Sequence, residues 1–259
     1  MRLLCVGDVI GRIGCDYLLR HLPTLKRTWK TDAVIVNGEN SSQRNGISPR
    51  SAQRLFDAGA DVITTGNHVF RHRDIGAYLE EHPDVLRPAN YPAGTFGSGV
   101  FVLDLGKTRI TVINLMGVVF MSNLKNPFEY MDELLTQVDT KLVVVDFHAE
   151  ATSEKLALAH YLDGRISAMF GTHTHVQTAD ACILPKGTGY ITDAGMSGPI
   201  HSVLGMKSEL AIRRLKTLMP SGFEPATGDC MICAVLFEID EQTGKTTSVT
   251  PIRFAENQN

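Results

Sequence analysis

Along the chain, short apolar and β-branched runs alternate with longer stretches whose apolar positions recur every three or four residues. The runs are Leu3–Val6, Ala33–Val36, Val62–Thr65, Leu142–Phe147 and Ile166–Phe170, which match buried strands. Between the first two lies Cys15–Trp29, with Tyr17, Leu18, Leu22, Leu25 and Trp29 at helical spacing. Pro49–Ala58, Arg73–Glu81, Pro127–Leu135 and Glu154–Leu162 read as helices in the same way. This alternation predicts α/β crossovers around a largely buried sheet. Two hairpins are also predicted. Val100–Leu105 and Arg109–Asn114 flank Gly106–Lys107, and Met231–Ile239 and Thr246–Phe254 flank Gln242–Thr243–Gly244–Lys245. A mixed sheet, or two stacked sheets with helices outside, fits this pattern. No linker rich in Pro, Gly or Ser divides the chain, so residues 1–259 are expected to form one domain.

Composition narrows the class. Of 259 residues, 43% are hydrophobic and 20% charged, which excludes a disordered or fibrous chain. Aliphatic runs such as Leu142–Val145 fall far short of the roughly 18 residues of a membrane span, so no membrane partner is expected. The net charge of −3 does not force a basic nucleic-acid face. Five cysteines, an odd number in a chain of this size, argue against a disulfide framework. Asp8 interrupts the apolar N-terminal stretch before it can serve as a signal-peptide core. A cytoplasmic location is therefore expected.

The chemistry is announced by position. Leu3–Val6 leads into Gly7–Asp8, and Ala33–Val36 into Asn37–Gly38–Glu39–Asn40. Val62–Thr65 leads into Gly66–Asn67–His68, Leu142–Phe147 into His148–Ala149–Glu150, and Ile166–Phe170 into Gly171–Thr172–His173–Thr174–His175. Ligand sites of open α/β sheets lie outside the carboxyl ends of the strands. The glycines before Asp8, Glu39, Asn67 and Thr172 are expected to serve sharp turns and close backbone approach. Asp8 and Glu39 offer anionic oxygens, Asn40 and Asn67 amide oxygens, and His148, His173 and His175 imidazole nitrogens. This mixed set suits Fe, Mn, Zn or Co and not a thiolate zinc site. Seven ligands exceed the needs of one such ion. Two ions sharing a bridging carboxylate use them, and two-metal sites typically cut phosphate esters.

These residues carry a resemblance. Asp8 in GDVIG, then NGEN, GNH, FHAE, GTHTHVQTAD and TDAGMSGP, together resemble the YmdB-like family of calcineurin-like metallophosphoesterases. The resemblance implies a four-layer α/β/β/α sandwich with mixed sheets. It also implies a dinuclear centre, often iron, with manganese, zinc or magnesium as alternatives. The implied activity is hydrolysis of 2',3'-cyclic nucleotides to 3'-nucleotides. It assigns Asp8, Glu39, Asn40 and His175 to one ion and Glu39, Asn67, His148 and His173 to the other. A hydroxide bridging the ions would attack phosphorus, with His68 as general acid toward the departing 2'-oxygen. The wider superfamily carries a histidine two residues after the first aspartate, where this chain has Ile10.

The expected partners are a small cyclic nucleotide or an RNA-derived substrate, with the chain as a homo-oligomer. Competing readings are a phosphomonoesterase or nucleotide pyrophosphatase on the same centre, and a metal-containing regulatory protein that binds RNA or nucleotides. Weaker features remain. Gly11–Gly14 can present backbone N–H groups to phosphate. Arg71–Arg73 reads as a solvated helix start with a possible phosphate contact, and Gly195–His201 as a loop. Cys230 and Cys233 read as two semi-buried thiols. Glu150 and Asp180 are candidates to orient ligand histidines.

Overall fold

The structure is a computed structural model that describes residues 1–220, 222 and 224–256; residues 257–259, the end of the expected domain, lie outside it. Two mixed sheets are stacked face to face. The first runs β2 (Asp8–Val9), β11 (Met196–Pro199), β12 (Cys230–Ile239), β1 (Arg2–Val6), β3 (Ala33–Asn37), β4 (Val62–Thr64), with β13 (Thr246–Phe254) also pairing β12. The second runs β5 (Val100–Asp104), β6 (Arg109–Met116), β7 (Leu142–His148), β8 (Ala168–Thr172), β10 (Gly189–Ile191), β9 (Cys182–Ile183). Helices α1 (Gly11–Trp29), α2 (Pro49–Ala58) and α3 (Ile75–Glu81) pack on the outer face of the first sheet. Helices α4 (Pro127–Leu135) and α5 (Thr152–Leu162) pack on that of the second. This is the four-layer α/β/β/α sandwich, and both predicted hairpins are present as antiparallel pairs.

Strand alternation assigns each side chain to a layer. In β1, Leu4 and Val6 face the helices while Leu3 and Cys5 face the other sheet. In β3, Val34 and Val36 face out while Ala33 and Ile35 face in. In β7, Val143, Val145 and Phe147 face α4 and α5, while Leu142 and Val144 face the first sheet. Continuing these registers by one or two steps puts Asn37, Thr64, Asp146, His148 and Thr172 on the inner faces at the carboxyl ends of their strands. Within each sheet these strands run parallel: β1 with β3 and β4, and β6 with β7 and β8. The inter-sheet core is thus apolar along most of its length and polar at one edge.

Where the structure differs from the sequence reading, the cause is local. Helix α1 begins at Gly11, four residues before the apolar periodicity starts, because its first turn is glycine-rich. Helix α3 begins at Ile75, after a 3-10 turn at Val69–Arg71. Strands β2, β9, β10 and β11 are two to four residues long, too short to show a period. Gly195–His201, expected as a loop, is mostly the buried strand β11, despite Gly198 and Pro199, residues depleted in strands. Helix α6 (Ser208–Thr217) escapes the reading because only Ala211 on it is buried. None of the described helices is long and apolar enough to cross a membrane.

Phe237 lies fully buried between the sheets. Phe237→Ala is expected to cost about 3–5 kcal/mol, read as a lowered urea midpoint with an unchanged slope.

Candidate metal centre

The polar edge of the inter-sheet core is organised by one carboxyl group. Asp146 Oδ1 accepts from Thr172 Oγ1 (2.7 Å), and Oδ2 accepts from Asn37 Nδ2 (2.9 Å) and from Thr64 Oγ1. Thr172 shares the second sheet with Asp146, whereas Asn37 and Thr64 belong to the first. Burial pushes the Asp146 carboxyl up to about 7, against the hydrogen bonds from Thr64, Asn37 and Thr172. Neighbouring Asn114 adds a second tie between the sheets, accepting from the Thr65 amide (2.9 Å) and donating to the Thr65 carbonyl (3.1 Å).

Just outside this plug, the seven sequence-predicted ligand residues come together as two contacting groups with Glu39 beside them. In the first, Asp8 Oδ1 lies 3.3 Å from Asn40 Nδ2 and 3.5 Å from His175 Nε2. Asn40 Nδ2 in turn lies 3.1 Å from that ring nitrogen. In the second, His148 Nε2 lies 3.0 Å from Asn67 Oδ1 and 3.0 Å from His173 Nδ1. Glu39 is fully buried, with Oε1 3.8 Å from His148 Nε2 and accepting from the His68 amide. Asp8, Asn40 and His175 fall in one group, and Asn67, His148 and His173 in the other, as in the implied division between ions.

The outer nitrogen of each imidazole has an acceptor. Thr172 Oγ1 spends its hydrogen on Asp146, so His148 Nδ1–H donates to it (2.9 Å). His173 Nε2 faces Glu150 Oε2 at 3.0 Å, and His175 Nδ1–H donates to the Leu204 carbonyl (3.0 Å). Each ring therefore turns its other nitrogen inward, the arrangement that orients metal-binding histidines. Glu150 thus meets one of the candidate ligand histidines. Asp180 does not; it holds Thr192 through the backbone N–H (3.2 Å) and the hydroxyl.

The electrostatics are those of a site that fits a cation. Burial pushes Glu39 well above the carboxylate range, opposed by the His68 amide. Its Oε2 is buried with no hydrogen-bond partner, a costly state for an ionised oxygen unless a positive charge lies beside it. Two inward imidazole nitrogens 3.0 Å apart, His148 Nε2 and His173 Nδ1, repel as lone pairs unless a proton or metal ion separates them. Burial pushes Asp8 up as well, but His175, His148 and the His173 amide outweigh it and hold the carboxyl below its usual range. Burial pushes His148 far down and His173 down. His175 is raised because Asp8 outweighs burial. Among the described residues, no three His, Cys, Asp or Glu side chains converge on one ion position, so each group needs its asparagine. Asn67 already turns its oxygen inward. Asn40 turns its amide nitrogen inward and presents oxygen after a half-turn of the amide.

Sequence reasoning missed the groups that hold this arrangement. Lys155 and Asp193 are both fully buried and meet at 2.8 Å. Lys155 also donates to the Thr172 carbonyl (2.7 Å), and Asp193 accepts from the Thr174 amide (3.1 Å) and hydroxyl (2.7 Å). Together they pin the turn in which His173 and His175 adopt left-handed φ values of 99° and 66°, uncommon for non-glycine residues. A signal existed: Lys155 shares the buried face of α5 with Leu158 and Leu162, at i, i+3 and i+7.

The glycines are explained by close approach and not by turn conformation. A Cβ on Gly66 would lie 2.2 Å from the His148 ring, and one on Gly171 1.8 Å from the Thr192 carbonyl oxygen. Ile10, at the superfamily's histidine position, is fully buried against Gly198 and Gly205. Cys230 and Cys233 are both buried, with thiols pushed up to about 11 by burial; three residues apart on β12, they point to opposite faces. His72 accepts or donates at Ser42 Oγ (2.6 Å).

Comparison with known proteins agrees with this architecture. The family model described as "YmdB-like protein" matches residues 4–252. A Bacillus subtilis protein named 2',3'-cyclic-nucleotide 2'-phosphodiesterase is 45% identical over 97% of this chain and 96% of its own. The solved structure of a novel phosphatase from Mycoplasma pneumoniae is 36% identical, with a TM-score of 0.93 over 98% of this chain and 93% of that one. The NAD nucleotidase of Haemophilus influenzae shares the fold alone, at 11% identity and a TM-score of 0.60, over 98% of this chain and 56% of that one.

Two measurements follow from the geometry. Gly66→Ala is expected to displace His148 and reduce bound metal at least tenfold by elemental analysis, while the far-ultraviolet circular dichroism is retained. A carboxyl raised from about 4 to about 7 keeps its proton in the folded state after the unfolded state has lost it. Stability from this group is therefore complete below about pH 4 and is lost as pH rises toward 7. Denaturation of metal-free protein across that window is expected to show a falling stability whose slope Asp146→Asn reduces.

Proposed function

The chain belongs to the YmdB-like protein family, and on that premise we propose that it is a metal-dependent phosphodiesterase that opens 2',3'-cyclic nucleotides to 3'-nucleotides. The observation that carries this reading is the set of inward imidazole nitrogens beside the buried Glu39, whose Oε2 makes no hydrogen bond. Asp8, Asn40 and His175 would hold one ion, Asn67, His148 and His173 a second, and Glu39 both. Ions of iron, manganese, zinc or magnesium bound there supply Lewis acidity, offsetting charge on phosphoryl oxygens and making water a better nucleophile.

The chain's own residues do the rest. Water adds to phosphorus, the bond from phosphorus to the 2'-oxygen breaks, and that oxygen takes a proton, leaving a 3'-phosphate. His68 is the proposed proton donor. Its amide donates to Glu39, its side chain is 27% exposed, and its buried Nδ1 lies 3.4 Å from Glu39 Oε1. Burial, Arg71 and His173 push the imidazole down to about 4, below the ordinary value expected from sequence. It is therefore neutral near pH 7 until an anionic phosphoryl group beside it raises its affinity for a proton. Arg71 and the neighbouring Arg73 are both exposed.

The test is hydrolysis of 2',3'-cyclic AMP by purified protein with manganese or iron, with and without chelator, identifying the product isomer. Metal-dependent 3'-AMP is expected; 2'-AMP, or turnover indifferent to chelator, contradicts the reading. His68→Ala is expected to keep its metal and lose about 10²–10⁴-fold in kcat on the cyclic nucleotide. It should lose far less on p-nitrophenyl esters, whose leaving group hardly needs a proton. Equal losses on both substrates remove His68 from the acid role. Asn67→Ala and His148→Ala are expected to lower metal content instead.

A further inference from the structure

Beside the candidate centre lies a cavity of about 410 Å³ that the proposed reaction does not use. Four arginines line it: Arg12, Arg44, Arg50 and Arg54. Arg12 is the second residue of α1, Arg50 is the second residue of α2, and Arg54 lies one turn further along α2. Both helices follow strands that run parallel to each other, so both present their N-termini at the carboxyl edge that carries the centre. Ser48, the N-cap of α2, and Ser42 add hydroxyl groups to the wall.

The charge in this cavity is only partly neutralised. Asp16 pairs with Arg12 (3.2 Å) and with Arg54. Arg44 and Arg50, both exposed, make no hydrogen bond or ion pair among the described residues. Concentrated positive charge of this kind in a chain of net charge −3 is built for an anion. Planar guanidinium forks match phosphate oxygens, and helix N-termini add favourable partial charge.

Its position relative to the centre identifies the anion. The lining residues Ser41 and Ser42 follow Asn40 directly, and the Gly11 amide that opens α1 donates to the Asn40 carbonyl (2.8 Å). With about 3.8 Å between consecutive Cα atoms, the wall starts within about 8 Å of a candidate ligand. A nucleotide chain carries one phosphate per nucleotide, about 3.4 Å of rise apart when stacked and more when extended. A single cyclic nucleotide has no second phosphate to offer.

We propose that this cavity receives a backbone phosphate upstream of the cyclic end, so that the substrate class is an oligoribonucleotide chain terminating in a 2',3'-cyclic phosphate. This rests on the proposed reaction and names its substrate; the free cyclic mononucleotide is then the poorer substrate, filling the centre and leaving the cavity empty.

The experiment compares wild type with Arg44→Ala/Arg50→Ala, two exposed changes outside the proposed ligand set. Metal-loaded protein is given 2',3'-cyclic AMP and a hexaribonucleotide ending in a cyclic phosphate. Wild type is expected to favour the hexamer by about tenfold or more in kcat/KM, through KM, since each charge-assisted phosphate contact is worth about that factor. The double variant is expected to lose this preference and keep turnover of 2',3'-cyclic AMP within about twofold. A ratio between the substrates that is the same in both proteins overturns the proposal. A binding arm decides the cavity apart from the chemistry: a fluorescent hexamer with a 3'-phosphate, titrated by anisotropy at several salt concentrations. Weaker binding and a shallower salt dependence in the variant support the cavity as a backbone-phosphate site; the same result with neither cyclic substrate hydrolysed keeps that site and overturns the proposed reaction and the cyclic end of the substrate. Equal hexamer binding by both proteins overturns the proposal. So does a cavity that takes inorganic phosphate in an arginine-dependent way while the hexamer ignores both substitutions.

Discussion

The Asp146 carboxyl, buried where the two sheets meet, is the constraint from which the site follows. One of its oxygens serves Thr172 in its own sheet and the other serves Asn37 and Thr64 across the gap. A lone carboxylate in an apolar core costs several kcal/mol; here hydroxyl and amide donors from both sheets share that cost. The consequence reaches the chemistry in one step. Because Thr172 gives its hydrogen to Asp146, it must accept from His148, and His148 must then turn its other nitrogen inward. Sheet packing and the orientation of the His148 ring are two ends of one hydrogen-bonded chain.

A second buried polar contact does the same for the remaining histidines. The Lys155–Asp193 pair reaches from the outer helix layer to the turn after β8. That turn holds two residues in left-handed backbone, His173 and His175, a strain of order 1–3 kcal/mol each. Removing one partner of a fully buried ion pair typically costs about 3–5 kcal/mol, because the other charge is left uncompensated, a penalty of the same order as the strain in the turn. The strained turn sends His173 to one group of candidate ligands and His175 to the other.

How much of this was legible in the sequence depends on range. The apolar runs identified the central strands, and the polar residues at their carboxyl ends do gather at one edge, because parallel strands in register bring their ends together. Glu150 was legible as a polar residue just after β7, beside His148, but the ring it meets is that of His173, in the turn after the neighbouring strand. Asp146 was not, since one acid in Leu142–Phe147 reads as an interruption and its partners lie 26 to 109 residues away. The close approach of Gly66 to His148 and of Gly171 to Thr192 is equally long-range. Short strands such as β10 and β11 owe their existence to neighbours and not to their own pattern. The arginine cavity was half visible: Gly11–Gly14 suggested phosphate binding, but Arg44, Arg50 and Arg54 join Arg12 only once α1 and α2 lie side by side.

The proposed reaction requires the two groups of side chains beside Glu39 to hold two metal ions. Elemental analysis of metal per chain, in wild type and in Glu39→Gln, tests it most directly. Close to two ions per chain are expected in wild type and at most one in the variant, because the neutral amide leaves the shared position without its charge. Two ions retained by Glu39→Gln, or fewer than one in a wild type that still turns over substrate, would contradict it.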